Sequence, residues 1–299
     1  FYDDVGSFVF INKDFIKRME AVGIQCRVFN PMHPFLNIFM NNRDHRKITV
    51  IDGKVGFTGG YNLAEEYFNR THPYGYWKDT GIMLTGDAVR NLTVMFLEMW
   101  NAVRKTDMDY DKYLPKVEYT AKEQGFVQPY ADSPLDHETT GENVYMNLIK
   151  NAKHEIFFTT PYLIITDEMS RELRMAARRG VDVRIVTPGI PDKKMVYQMT
   201  RSYYSELARN GVRIYEYTPG FIHAKQCVCD GESATVGTIN MDYRSLYLHF
   251  ENGVLMYHYD AVAEIRKDFE DIFAASTEVT EKYNGRKSVL ARMGRGVLR

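Results

Sequence analysis

His45-Arg46-Lys47-Ile48-Thr49-Val50-Ile51-Asp52, followed by Gly59-Gly60-Tyr61-Asn62, returns later in the chain. The second copy reads His223-Ala224-Lys225-Gln226-Cys227-Val228-Cys229-Asp230, followed by Gly237-Thr238-Ile239-Asn240. The copies are 178 positions apart at each of five matched residues (45 and 223, 47 and 225, 52 and 230, 59 and 237, 62 and 240), with no gap. Five matches in one register mark an internal duplication, and the duplication frames the rest of the reading. Each copy is rich in β-branched residues and bounded by glycine, which predicts a strand followed by a tight hairpin.

Working outward, Phe15 to Pro31 parallels Tyr203 to Pro219: a helix-like stretch, then Gly23-Ile24-Gln25-Cys26-Arg27-Val28-Phe29 in one and Gly211-Val212-Arg213-Ile214-Tyr215-Glu216-Tyr217 in the other. The second half adds a strand over 154–160, a helix over 167–179 and a strand over 181–187. Most of these lack a counterpart in the first half, so a segment ahead of Phe1 is expected. Helices over 88–104 and 260–275 close the two halves. The polar stretch 105–142, interrupted by Pro115, Pro129 and Pro134, reads as the connection between lobes. The expected architecture is a mixed α/β (α+β) protein of two pseudo-symmetric lobes, each a mixed sheet flanked by helices. Residues 1–104 form the first lobe, 143–281 the second, and 282–299 a basic tail.

Composition narrows the function classes. With 44% hydrophobic and 26% charged residues, the 299-residue chain is an ordinary globular one. A formal net charge of −1 gives no global basic field, so nucleic acid is not an expected partner. Three cysteines (Cys26, Cys227, Cys229) without CxxC spacing exclude a disulfide framework and suit a reduced, cytosol-facing compartment. Within the given sequence no apolar run reaches bilayer length, and no stretch reads as a signal peptide.

Residues at i and i+2 on a strand share a face, so His45 points with Lys47 and His223 with Lys225. Asp52 and Asp230 stand at odd spacing from their histidines and point away; their expected role, with Gly59 and Gly237, is to anchor the strand-to-turn geometry. Imidazole titrates near neutrality and can attack or donate a proton, while ammonium offsets charge on phosphoryl oxygens. Asn62 and Asn240 can add amide donors to the same oxygens. One half-site cannot supply both a nucleophile and an acid for the leaving group, but two facing halves can. The pattern therefore predicts covalent catalysis through a phosphohistidine. A nucleophilic imidazole also needs its second nitrogen held, usually by a carboxylate. Asp79 and Glu251, each following its motif within reach of a returning strand, are assigned that role. No metal or other cofactor is expected.

His-x-Lys, four residues, Asp, six residues, Gly and then Asn two further on is the pattern of the phospholipase D superfamily, which this chain resembles. It is similar above all to bacterial cardiolipin synthases, through Asp3-Asp4-Val5-Gly6-Ser7, Thr58 to Asn62, Thr160-Pro161-Tyr162, Arg179 to Ile185, Gly220 to Lys225 and Val236 to Ser245. The resemblance implies metal-free transfer of a phosphatidyl group from one phosphatidylglycerol to another, yielding cardiolipin and glycerol. It also implies location at the bacterial cell membrane through an N-terminal segment, with the catalytic part facing the cytoplasm, and it favours His45 as nucleophile and His223 as acid and base. Hydrolysis to phosphatidic acid is the alternative. A superfamily nuclease or a catalytically dead lipid-binding scaffold are the more distant ones. Three departures stand out: Gly60 and Thr238 replace the customary serine, His249 stands where asparagine is usual, and Gly81 stands where histidine often follows Asp-Thr.

Several residues carry a plainer reading beside a functional one. Cys227 and Cys229 share the face of His223 and Lys225 but read as small packing residues, since Thr49 and Ile51 replace them in the first copy. Arg201, Tyr203 and Tyr204 either approach the head group or lie on a solvated helix face. The tail from Lys282 to Arg299, with six basic residues and no acidic one, either docks on anionic lipid or is a frayed terminus.

Overall fold

The structure, a computed structural model, describes residues 1–7, 11–31, 41–120 and 124–285. The first half runs β1 (Tyr2–Asp3), α1 (Asp4–Ser7), α2 (Lys13–Ala21), β2 (Val28–Phe29), β3 (Ile48–Ile51), β4 (Val55–Gly59), β5 (Tyr76–Lys78), β6 (Gly81–Thr85) and α3 (Ala88–Val103). Next come β7 (Phe126–Asp132), α4 (Thr140–Asn151), β8 (Glu155–Thr159), α5 (Asp167–Arg178), β9 (Asp182–Pro188), α6 (Lys194–Ala208) and β10 (Arg213–Tyr217). The chain continues through β11 (Gly220–Ile222), β12 (Gln226–Cys229), β13 (Ser233–Gly237), α7 (Tyr243–Tyr247), β14 (Glu251–Tyr257), α8 (Asp260–Ala274), β15 (Ser276–Glu278) and α9 (Thr280–Asn284).

Eight strands join in the order β15-β10-β9-β8-β12-β13-β14-β7. β8, β9 and β10 pair in parallel, with α5 and α6 as the crossovers that parallel neighbours require. The other neighbours in this sheet are antiparallel. Alternation along the central strands sorts side chains onto two faces. Ile156, Phe158, Cys227 and Cys229 enter one core with residues of α4, α5 and α6. Phe157 and Val228 enter another with residues of α3 and α8. The two buried thiols are thus packing residues.

Helix periodicity explains the covering layers. Val89, Leu92, Met95 and Trp100 form one buried stripe on α3, and Val262, Ile265, Phe269 and Ile272 one on α8. Each such side chain contributes about 1.5–3 kcal/mol on burial. Thr166 caps α5 by accepting from the Met169 amide.

The duplication is visible in the strands. β3, β4 and β6 form an antiparallel sheet that repeats β12, β13 and β14, while β1 pairs with β2 in parallel as β9 does with β10. The first half thus divides parallel and antiparallel pairing between two small sheets, where the second unites them in one. Gly59 faces Gly81 across β4 and β6, and Gly237 faces Gly253 across β13 and β14. Asp52 and Asp230 hold matching left-handed turns, with φ of 54° and 53°. Asp230 accepts from the amides of Lys153, His154 and Glu155, which ties its turn to the start of β8. The anchoring role read for this aspartate has a physical basis there.

Three expectations need correction. The His-x-Lys segments lie just ahead of β3 and β12 rather than within them, because the amides of His45 and His223 donate to carbonyls of the opposite half, Phe250 and Lys78. The connection over 105–142 contains β7, paired with β14 along its whole length from Phe126 to Asp132. Pro129, taken as a breaker, sits on an edge strand, where one side of the backbone needs no partner. The tail begins inside the fold, since α9 includes Lys282 and buries Tyr283 against Tyr204, ring centroids 5.0 Å apart. Residues 286–299, and with them most of the tail reading, lie outside the described residues.

The glycine pairs make a testable demand. A Cβ at Gly237 would lie 2.3 Å from the Asn252 carbonyl oxygen and 2.6 Å from the Gly253 Cα. Gly237→Ala is expected to destabilise the protein by about 1–3 kcal/mol, the usual cost of overpacking. Gly285→Ala, where a Cβ meets nothing within 4 Å, should leave the melting temperature unchanged. Thermal denaturation of the two variants checks the contrast.

Candidate active site

β11 pairs with β5 in parallel, Ile222 opposite Lys78, and so carries a second-half strand beside a first-half one. The chain leaves β11 directly into His223, whose amide donates to the Lys78 carbonyl at 2.7 Å. The next residue along β5 is Asp79, and its Oδ2 lies 2.8 Å from His223 Nδ1. The other half-site repeats this plan. Asp44 bridges Phe250 in parallel, the His45 amide donates to the Phe250 carbonyl at 3.0 Å, and His45 Nδ1 lies 2.9 and 3.0 Å from the two oxygens of Glu251. Both assigned carboxylates therefore lie within hydrogen-bond distance of a histidine, but in each case it is the histidine of the opposite half.

The two carboxylates are supported differently. Glu251 is fully buried and accepts from the hydroxyls of Thr238 and Ser245. Asp79 accepts from the Thr80 amide at 2.9 Å and from Trp77 Nε1 at 3.4 Å. Gly60, the positional twin of Thr238, leaves room for this: a Cβ there would lie 2.2 Å from Asp79 Oδ1. Burial works against the charge on both acids, yet the facing imidazoles hold both below the ordinary carboxylate range.

Burial, reinforced by the lysine charges, pushes both imidazoles down, so they are neutral at pH 7. With Nδ1–H donated to a carboxylate, Nε2 carries the lone pair. His45 has 24% of its side chain exposed and His223 7%. Lys47 Nζ donates to the His45 carbonyl, while Lys225 Nζ donates to the His223 carbonyl and lies 2.8 Å from both ring nitrogens. Burial brings Lys47 down to about 8 and Lys225 to about 7. The charge of Lys225 also depresses His45, and that of Lys47 depresses His223. The half-sites share one electrostatic environment.

Asn62 donates its amide to the Tyr67 hydroxyl at 2.7 Å, and the Tyr67 ring meets His223 edge-on with centroids 5.2 Å apart. Asn240 donates its backbone amide to Ser245 Oγ at 2.9 Å. Its buried Oδ1 has no hydrogen-bond partner. Arg201, by contrast, pairs with Glu216 at 2.9 Å, and Tyr203 and Tyr204 are buried in the core.

Sequence reasoning missed Tyr67 and the support given by Trp77 and Ser245. Trp77 had a signal: it stands two residues before Asp79 as His249 stands two before Glu251. Each covers the opposite half's histidine, with centroids 5.3 Å apart for Trp77 and His223 and 5.6 Å for His249 and His45. His45, His249 and Glu251 bring one ligand atom each within 4.8 Å of one another, a grouping able to hold a metal ion.

Residues 145–273 match the family model described as "Cardiolipin synthase, PLD-like domain". A protein of Streptococcus mutans serotype c described as uncharacterized is 48% identical over 279 residues, covering 93% of this chain and 60% of the relative. The cardiolipin synthase of Geobacillus kaustophilus is 39% identical over 287 residues, covering 95% of this chain and 57% of the relative. The chain thus spans somewhat over half the length of these curated relatives. Among solved structures, the phosphatidylserine synthase of Haemophilus influenzae Rd KW20 superposes with a TM-score of 0.62 at 15% identity, over 86% of this chain and 68% of that one. It shares the fold.

Because the pairing is crossed, Glu251→Gln should perturb the ring-nitrogen shifts of His45 and leave those of His223 largely unchanged. Asp79→Asn should do the reverse. Nitrogen-15 NMR of histidine-labelled protein reads both, and a perturbation confined to the histidine of the same half would contradict the assignment.

Proposed function

We propose, for a chain that belongs to the phospholipase D superfamily through its PLD-like cardiolipin synthase domain, that it transfers a phosphatidyl group from one phosphatidylglycerol to another, giving cardiolipin and glycerol. The observation that carries this reading is the pair of neutral imidazoles, each fixed at Nδ1 by the opposite half's carboxylate, beside two buried lysines.

In the first step His45 Nε2 forms a bond to phosphorus and the bond from phosphorus to the glycerol oxygen breaks, that oxygen taking a proton from His223. In the second, the hydroxyl of another phosphatidylglycerol gives its proton to His223 and attacks phosphorus, breaking the P–N bond. For the first step His223 must enter protonated; the negative phosphodiester and Asp79 favour that state once substrate is bound. Lys47 and Lys225 offset charge on the non-bridging oxygens, with Asn62 and Asn240 as further donors. The greater exposure of His45 favours it as the nucleophile. A phosphatidylglycerol substrate calls for a site at a bilayer surface, and three free cysteines suit the cytoplasmic side. No helix among the described residues is long and apolar enough to cross a membrane.

Purified protein mixed with phosphatidylglycerol vesicles should release glycerol and cardiolipin in equal amounts. Phosphorus-labelled lipid should leave an acid-labile, alkali-stable label on the wild-type chain and none on His45→Asn. Label lost only from His223→Asn would reverse the two histidine roles. Phosphatidic acid as the main product would make water the acceptor.

The lysines set a pH dependence. Their ammonium forms are needed for phosphate, and in the free protein they are lost as pH rises through about 7 for Lys225 and about 8 for Lys47. Because kcat/KM reports the free enzyme, it should fall on the alkaline side over that window. Lys225→Arg, charged throughout, should move the lower part of this limb upward in whatever activity it retains. A wild-type profile flat to pH 9 would count against the assignment.

A further inference from the structure

Neither ring nitrogen of His249 has a hydrogen-bond partner although both are buried, and the nearer one, Nδ1, stops 3.6 Å from Glu251 Oε1. That gap is too long for a hydrogen bond. Leaving a buried polar group unpaired costs about 1–3 kcal/mol, so such a group calls for a ligand or another physical cause. The ring lies at the half-site of His45, where a second imidazole and a carboxylate already converge.

From this cluster we infer that His45, His249 and Glu251 form an inhibitory site for a borderline-soft divalent cation, with Zn²⁺ the best match. Two imidazoles and one carboxylate with a fourth position left for water are a common zinc set, with metal–ligand distances of about 2.0–2.2 Å. Those bonds place neighbouring donors roughly 3.3–3.5 Å apart at tetrahedral angles. The Nδ1 of His45 now lies 2.9 Å from Glu251 Oε1, and the three donor atoms all fall within 4.8 Å of one another. A rotation of the His249 ring and a small opening of the His45 contact bring the set to that spacing. Neutral imidazoles suit metal ligation.

Ligation acts on the nucleophile through its tautomer. With the metal on Nδ1 of His45, the proton now held there moves to Nε2 and the ring stays neutral, so no proton is released by that ring. Nε2–H has no lone pair with which to attack phosphorus. Glu251 exchanges the imidazole proton for the metal. The other half-site has no equivalent, because Trp77 takes the place of His249 and indole offers no ligand. The site is therefore one-sided in an otherwise pseudo-symmetric centre.

The test uses tag-free protein carrying Cys26→Ser, which removes the one thiol that is not buried. Competition against a chromophoric chelator at pH 7 should give one Zn²⁺ per chain, and Co²⁺ should produce the visible absorption of a tetrahedral site. Adding His249→Asn should weaken Zn²⁺ binding at least tenfold and remove the Co²⁺ band. In the transfer assay Zn²⁺ should inhibit the Cys26→Ser protein reversibly on addition of EDTA, and inhibit the His249→Asn form at least tenfold less sensitively. Absence of a stoichiometric Co²⁺ band in the folded Cys26→Ser protein would overturn the inference, as would unchanged affinity after His249→Asn. The binding arm is independent of the proposed reaction: stoichiometric, His249-dependent binding by a protein that transfers no lipid would sink the reaction alone.

Discussion

The contact between His45 and Glu251, and its twin between His223 and Asp79, ties each motif imidazole to the opposite half of the chain. Neither half can orient its own histidine. Both the backbone and the side chain enforce the exchange, since each histidine amide is bonded to the residue preceding the carboxylate that holds its ring. Desolvating an ion such as Glu251 costs several kcal/mol. Hydrogen bonds to a charged group contribute about 1.5–3 kcal/mol each, so the contacts from His45, Thr238 and Ser245 are of the size needed to keep it ionised. An unpaired Glu251 in the same place would take up a proton.

Duplication supplies two similar half-sites, and the structure makes them unequal. Thr238 supports Glu251 with its hydroxyl, while Gly60 at the matching position vacates space for Asp79. Trp77 covers one imidazole and His249 the other. Lys225 lies against the ring of its own histidine, whereas Lys47 donates to the His45 backbone carbonyl. The proposed two-step transfer divides attack and proton movement between two imidazoles, and these local differences are what would let two copies of one motif differ in that way.

The surrounding fold serves this junction. The parallel pairing of β5 with β11 and the bridge at Asp44 cross from one half to the other. Lys78 adds a salt bridge to Asp268 on α8 at 2.6 Å, so the strand that holds the His223 amide is clamped from its side chain as well. Beneath it, Leu84, Val89 and Leu92 of the first half share a core with Val236, Val254 and Phe269 of the second. A shift between halves would disturb both histidine–carboxylate contacts and this common core together.

Much of this was legible from spacing. The interval of 178 residues identified the two half-sites, and apolar periodicity placed α3, α5, α8 and the strands β8 and β9 within a residue or so of their ends. The edge strand β7 was hidden because Pro129 looks like an interruption unless the outer side of the strand is known to be unpaired. The sequence by itself determined the two matching half-sites and their residues, since a repeated motif carries residue type and order along the chain. Only the tertiary structure decided that Glu251 serves His45 and Asp79 serves His223, and that His249 is left with two unpartnered nitrogens beside them. Partners 206 and 144 positions apart are chosen by the packing of one half on the other, a three-dimensional constraint that local spacing does not encode.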